Sequence, residues 1–296
     1  MTTTAENVLA LPVARRRGLS LTWLGLAPFF LFAFLVMLLP SAIIIFGSFQ
    51  DAQGHLTLAN LTSFSDPTVI HAYVTSLQLS IVTGLVGGLL GLLIAIATLL
   101  GRLPRFIHSA IITFSGVASN FAGVPLAFAF VATLGRTGFV TALFRAAGFD
   151  LYGAGFTVYS LTGLSLCYIY FQFPLMILII APSLEGLRRE WREATENLGG
   201  NTYIYWRYVA LPVLLPSILG TMILLFGNSF GAYATAYALT GGQINLITLQ
   251  ISKQITGDVF NQPGVGYALS LGMVVIMALC IGLYTWLQRK TERWLR

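Results

Sequence analysis

From Gly18 to Gln50 the chain carries no Asp, Glu, Lys or Arg, and Leu24–Phe46 is the densest apolar part of that run. A helix needs ~20 mostly apolar residues to cross the hydrocarbon of a bilayer. Five further windows meet that length: Val74–Leu100, Ile107–Leu134, Phe156–Pro182, Pro212–Tyr237 and Gly264–Leu287. The chain is therefore expected to be an all-α integral membrane protein with six transmembrane helices. The uncharged run from Tyr208 to Ser252 is too long for one crossing, and Thr240-Gly241-Gly242-Gln243 marks where it leaves the membrane.

Composition supports the same class. Hydrophobic types make up 56% of the 296 residues and charged types 9%, whereas a soluble domain carries charge on about a quarter of its positions. That excludes an ordinary cytosolic enzyme, a secreted disulfide scaffold and a disordered chain. Cys167 and Cys280 both lie inside apolar runs, where cysteine behaves as a small buried hydrophobe. The net charge of +6 does not point to nucleic acid, because the basic residues fall between the apolar spans.

Loops that stay in the cytoplasm retain Lys and Arg. Arg15, Arg16 and Arg17 precede the first window, and Arg102 and Arg105 follow the second. Arg188, Arg189, Arg192 and Arg207 follow the fourth, and Arg289, Lys290, Arg293 and Arg296 close the chain. The alternate loops hold only Arg136, Arg145 and Lys253, together with Asp51, Asp66, Asp150 and Asp258. Both termini are thus expected in the cytoplasm. The resulting plan is a cytoplasmic tail at 1–17, a first span at 18–50, an outer loop at 51–72, a transmembrane core at 73–288 and a cytoplasmic tail at 289–296. The tri-arginine resembles a secretory signal, but the apolar run after it is too long for one and lacks a small-x-small cleavage site.

Within the second window, Gly84/Gly88 and Gly87/Gly91 each stand four apart, a spacing that lets helix backbones approach closely in lipid. The loop 183–210 has a different pattern. Leu184, Leu187, Trp191, Ala194 and Leu198 fall on one helical face, with Glu185, Arg188, Arg189, Arg192, Glu193 and Glu196 on the rest. Glu185/Arg189, Arg189/Glu193 and Arg192/Glu196 are spaced for i,i+4 pairing, and Gly199-Gly200 supplies a C-cap. Asn201 offers an N-cap to a second short helix, Thr202–Ala210, expected to end before Pro212. The bland alternative is an amphipathic hairpin resting on lipid; Glu190, Glu193 and Glu196 favour a protein partner.

Glu193-Ala194-Thr195, then Gly199, then Val209, Leu211 and Pro212 resemble the coupling-loop signature of binding-protein-dependent ABC importer permeases. That signature reads Glu-Ala-Ala, three residues, Gly, nine residues, Ile, one residue, Leu-Pro. Every spacing agrees, with Thr195 in place of the second Ala and Val209 in place of Ile. The resemblance implies a type I ABC importer permease fold with a cytoplasmic coupling hairpin between helices 4 and 5, in a bacterial-type cytoplasmic (inner) membrane. It implies a dimer of ATP-binding subunits as partner, a second permease chain that completes the path (heterodimer or homodimer), and an extracytoplasmic substrate-binding protein. Glu193 would meet a basic group on the ATPase, Ala194 would allow close approach, Gly199 would make the turn, and Trp191 belongs to the same docking surface. The residues agree on the energy source: neither Lys253 nor Lys290 lies in a G-x-x-x-x-G-K-[ST] phosphate cradle. No cofactor is expected on this chain, and ATP with Mg would be used by the partner.

Gly227-Asn228-Ser229-Phe230-Gly231 matches G-x-S-x-G, but it lies inside an apolar span with no strand for a nucleophile elbow, and no histidine falls at similar depth. An ion-coupled secondary transporter is the stronger rival; it relies on intramembrane acids or broken helices, and none of the ten acidic residues falls in an expected membrane core. Asn228–Gly242 resembles the corresponding segment of the spermidine/putrescine permease group, which shades into permeases for ferric iron, thiamine and phosphonates. A polyamine path would use aromatic faces of Tyr168, Tyr170, Tyr233 and Tyr237; the alternative is that these tyrosines are packing or interface-belt residues. Asn120, Gln172, Asn228 and Ser229 are the remaining candidates for the translocation path, with Asn228 and Ser229 read as either pore-facing or interhelical polar groups.

Overall fold

The computed structural model describes residues 22–51, 53–101, 103–256 and 263–292. The tail 1–17 and the last four residues of the chain lie outside this set, so the expected placement of the termini does too. The described chain is helical throughout; its one extended pairing is an isolated antiparallel bridge, Gln50 to Leu56.

Six helical stretches are long and apolar enough to cross a membrane. The first consists of α1 (Thr22–Ala33), a π-turn (Phe34–Leu38) and α2 (Leu39–Gly47). After the loop that follows, α3 (Pro67–Leu99) is capped by Asp66, whose carboxylate accepts from the Thr68 N–H at 2.8 Å. The Thr68 hydroxyl also donates to it, holding that carboxyl below the ordinary aspartate value. α4 (Arg105–Asn120) leads into the third crossing, which is built from α5 (Val124–Leu134) and the short α6 (Phe139–Ala146). The fourth is α7 (Leu161–Glu185). Beyond it come α8 (Arg189–Asn197), α9 (Thr202–Tyr205), a second π-turn (Trp206–Ala210) and α10 (Leu211–Phe230), the fifth crossing. The chain ends in α11 (Ala234–Thr240), α12 (Ile247–Thr256) and the sixth crossing, α13 (Pro263–Glu292).

Three expected boundaries are corrected. Ile107–Leu134 was expected as one helix, but the chain breaks after Asn120 and resumes at Val124. Gly123 takes φ +74°, and Pro125 in the first turn of α5 has no N–H to extend a helix backwards. The fifth window, Pro212–Tyr237, likewise divides at Gly231–Tyr233. Pro212, by contrast, does not end the helix before it. The Leu211 N–H bonds to Trp206 O across five residues instead of four. The widened π-turn accommodates the proline ring, and helix runs on from Thr202 to Phe230. Leu39-Pro40 follows the first π-turn in the same way.

The glycine stripe on α3 carries the bundle. A Cβ built on Gly84 would lie 3.4 Å from Phe226 N of α10, and one on Gly88 would strike the Met222 side chain of α10. On Gly87 it would lie 2.6 Å from Gln172 Cβ of α7, and on Gly91 it would strike the Phe173 carbonyl oxygen of α7. One glycine pair thus seats α10 and the other seats α7. Without a hydrophobic force between helices in lipid, such close approach is what dispersion requires. Between them these helices bury Ala95, Met176, Ile180, Leu214 and Leu225. The first span is different: none of its apolar window is buried inside the chain, against 50% for α7. Its C-terminal end touches the bundle where Gly47 packs on the Tyr267 ring.

Candidate functional site

The loop between the fourth and fifth crossings forms the expected hairpin with a different first boundary. α7 runs on to Glu185, so Leu184 and Glu185 belong to the crossing helix. Gly186–Arg188 is a turn, and Arg188 sits in extended backbone. Leu184 and Leu187 therefore do not share a helix with Trp191, and Glu185 cannot pair with Arg189 across that turn. Of the three expected ion pairs, Arg192–Glu196 forms, at 3.1 Å. Both partners are more than half exposed, so it contributes only ~0.3–0.5 kcal/mol.

The end of α8 is held more firmly. The Gly199 N–H bonds to Glu196 O and the Gly200 N–H to Thr195 O, the paired bonds of a Schellman cap. Gly199 occupies the left-handed region, φ +79°, which a side chain resists. Gly200 has its own reason to lack one, since a Cβ there would lie 2.7 Å from Thr195 Cγ2. Thr195 is buried and its hydroxyl donates to Trp191 O at 2.8 Å. Asn201 caps α9 as expected, accepting from the Ile204 N–H at 3.0 Å.

This geometry presents Glu193 and Ala194 to solvent on α8, with Leu198 89% exposed at its tip. Trp191 and Val209 are half-buried, and Leu211 and Pro212 begin α10. Arg207 lies over the rings of Tyr203 and Tyr208, 5.9 and 5.8 Å from their centroids, and donates to Tyr203 Oη at 2.7 Å. Aromatic rings beside a cation are at home in the headgroup layer.

The path candidates separate into two groups. Gln172 and Ser229 are buried between helices. Gln172 Nε2 donates to Leu225 O at 2.9 Å, and Ser229 Oγ lies 2.7 Å from Thr83 Oγ1. Both residues tie α10 to its neighbours. Asn120, Asn228, Tyr233 and Tyr237 are exposed. Asn120 ends α4 and Tyr233 precedes α11, so they flank the two helix breaks. Those breaks meet: the Gly123 N–H donates to Thr235 Oγ1 at 2.8 Å. Irregular backbone at membrane depth is tolerated only inside protein or along a watery cavity. Tyr168 is fully buried and donates to Ala232 O at 2.7 Å, so its ring packs rather than lines a surface.

A family model described as a binding-protein-dependent transport system inner membrane component matches residues 87–294. The chain belongs to that family. Among its relatives, a probable sulfate transport system permease protein of Chlorella vulgaris is 26% identical over 179 residues, covering 59% of this chain and 63% of that protein. The spermidine/putrescine transport system permease protein PotB of Haemophilus influenzae (strain ATCC 51907 / DSM 11121 / KW20 / Rd) is 32% identical over 116 residues, 39% of this chain and 40% of that one. A chain of a bacterial alginate ABC transporter, crystallised with an alginate pentasaccharide-bound periplasmic protein, superposes with a TM-score of 0.71 over 91% of this chain and 94% of its own, at 15% identity. As a likeness of fold, that agrees with six apolar crossings in this inner membrane component. Sequence reasoning missed the junction of the two helix breaks. Gly123 ahead of Pro125 was the local signal, but the partner Thr235 is 112 residues away.

Proposed function

We propose that this inner membrane component is the permease subunit of an ATP-driven importer, working with a dimer of ATP-binding subunits, a second permease chain and an extracytoplasmic receptor. The carrying observation is the capped hairpin between the fourth and fifth crossings. It holds Glu193 and Ala194 exposed while its second arm continues as helix into α10. A partner that grips α8 grips a handle attached to the bundle. The solute is a small polar molecule that crosses where the helix breaks meet, between Asn120, Asn228, Tyr233 and Tyr237. The polyamine expectation is one option, because relatives with names for sulfate and for spermidine/putrescine transport both match.

The test is uptake into proteoliposomes holding the complete transporter. Glu193→Lys should leave insertion and helix content intact while ATP hydrolysis no longer drives uptake. Uptake at the normal rate in that variant, or uptake driven by an ion gradient with no ATPase present, overturns the reading.

A further inference from the structure

Above the junction of the breaks, α11, the turn at Gly241-Gly242 and α12 border an open cavity of about 320 Å³. Tyr233, Tyr237, Gly242, Leu249, Ser252 and Lys253 line it. The two tyrosine rings stack with centroids 5.6 Å apart and planes 18° apart. Ser252 Oγ donates to Tyr233 Oη at 3.0 Å, which leaves the Tyr233 O–H itself available to donate. Lys253 is exposed, and among the described residues no carboxylate lies within 4.0 Å of its ammonium.

Depth follows from contacts with α3. At 1.5 Å per residue, Ser76 lies ~14 Å and Thr83 ~24 Å from the start of this ~50 Å helix. Thr83 meets Ser229 near its middle, Ser76 accepts from the Ile247 N–H, and Asn245 donates to Thr68 O near its end. The cavity therefore occupies the half of the bundle remote from the hairpin. Lys253 is nearer the bundle end, because the next turn of α12 packs Ile255 on Gly266 at the start of α13.

We propose that this cavity is an entry site for a small solute bearing an oxyanion. The proposal rests on the permease reading and deepens it by naming the charge of what is carried. An ammonium that lines the same cavity as two tyrosines, without a counter-ion among the described residues, is a point-charge receptor for an oxyanion. The Tyr233 O–H adds a directional donor. Tyrosine faces also draw cations, but a full positive charge in the same cavity repels a polycation more strongly than a ring quadrupole attracts it. That sets the site against the polyamine expectation.

The chain has only two lysines, Lys253 and Lys290, which makes an amine-labelling test clean. The full transporter in lipid nanodiscs is treated with an amine-reactive reagent, and the labelling rate of each lysine is read by mass spectrometry. Sodium sulfate, sodium phosphate, spermidine and sodium chloride at matched ionic strength are compared. Sulfate or phosphate should slow labelling of Lys253 saturably and leave Lys290 unchanged. Tyr233→Phe should raise the half-protecting concentration about tenfold, the loss of one hydrogen bond to a charged group. It should not change the rate without anion. Equal protection by chloride, protection by spermidine in place of the anions, or an unshifted Tyr233→Phe curve overturns the proposal. Failure of the permease reading would show separately, as a complex without ATP hydrolysis.

Discussion

Gly91 and Gly116 sit in α3 and α4 and should answer the same substitution with opposite signs. A methyl on Gly91 would run into the Phe173 carbonyl oxygen and lie 2.6 Å from Met176 Cβ. Neither obstacle is the free end of a flexible side chain, so α7 must move away. Gly91→Ala should destabilise the purified chain by ~1–3 kcal/mol, the usual range for overpacking. A methyl on Gly116 meets nothing within 4 Å. There the gain in helix propensity stands alone, and Gly116→Ala should stabilise by ~0.5–1 kcal/mol. Unfolding in mixed micelles with increasing dodecyl sulfate measures both. Equal effects would mean that the α3 stripe does not set the helix spacing.

At the level of elements, the hairpin depends on its cap. Gly199→Ala forces a Cβ into φ +79° and should cost ~1–2 kcal/mol locally. Hydrogen exchange at the Gly200 amide, which bonds to Thr195 O, should quicken about tenfold, while the α3–α7 amides keep their protection. Unchanged exchange at Gly200 would remove the cap from the account. This cap was legible in the sequence because Gly-Gly-Asn carries its conformational preferences locally. The six apolar windows were legible for a similar reason, since hydropathy over twenty residues needs no partner. The break at Gly186–Arg188 was not, because Leu184 and Leu187 fit a helical stripe equally well whichever helix they belong to. Nor was the junction of Gly123 with Thr235, which tertiary contact alone creates. Gln172 and Ser229 are path candidates by their polarity, and the structure buries both between helices.

On the scale of the whole molecule, sidedness is the property to measure. With Cys167 and Cys280 replaced by Ala, a cysteine at Glu193 should react with a membrane-impermeant maleimide only from the cytoplasmic side. A cysteine at Thr57 should react only from the other side. The reverse pattern would invert the bundle and put the hairpin out of reach of ATP. The π-turn ahead of Pro212 has a mechanical corollary on this scale. It makes Thr202–Phe230 a 29-residue strut of continuous helix, with Pro216 inside it, ~43 Å long, between the hairpin and the Thr83–Ser229 contact. Swinging such a strut by 10° carries its tip ~7 Å. At Gly231 the strut stops, and beyond it α11 is pinned to the Gly123 break through Thr235. On the permease reading, a pull on α8 would therefore reach α10 through helix rather than through a loop, and the break at Gly231 would mark where that continuity ends.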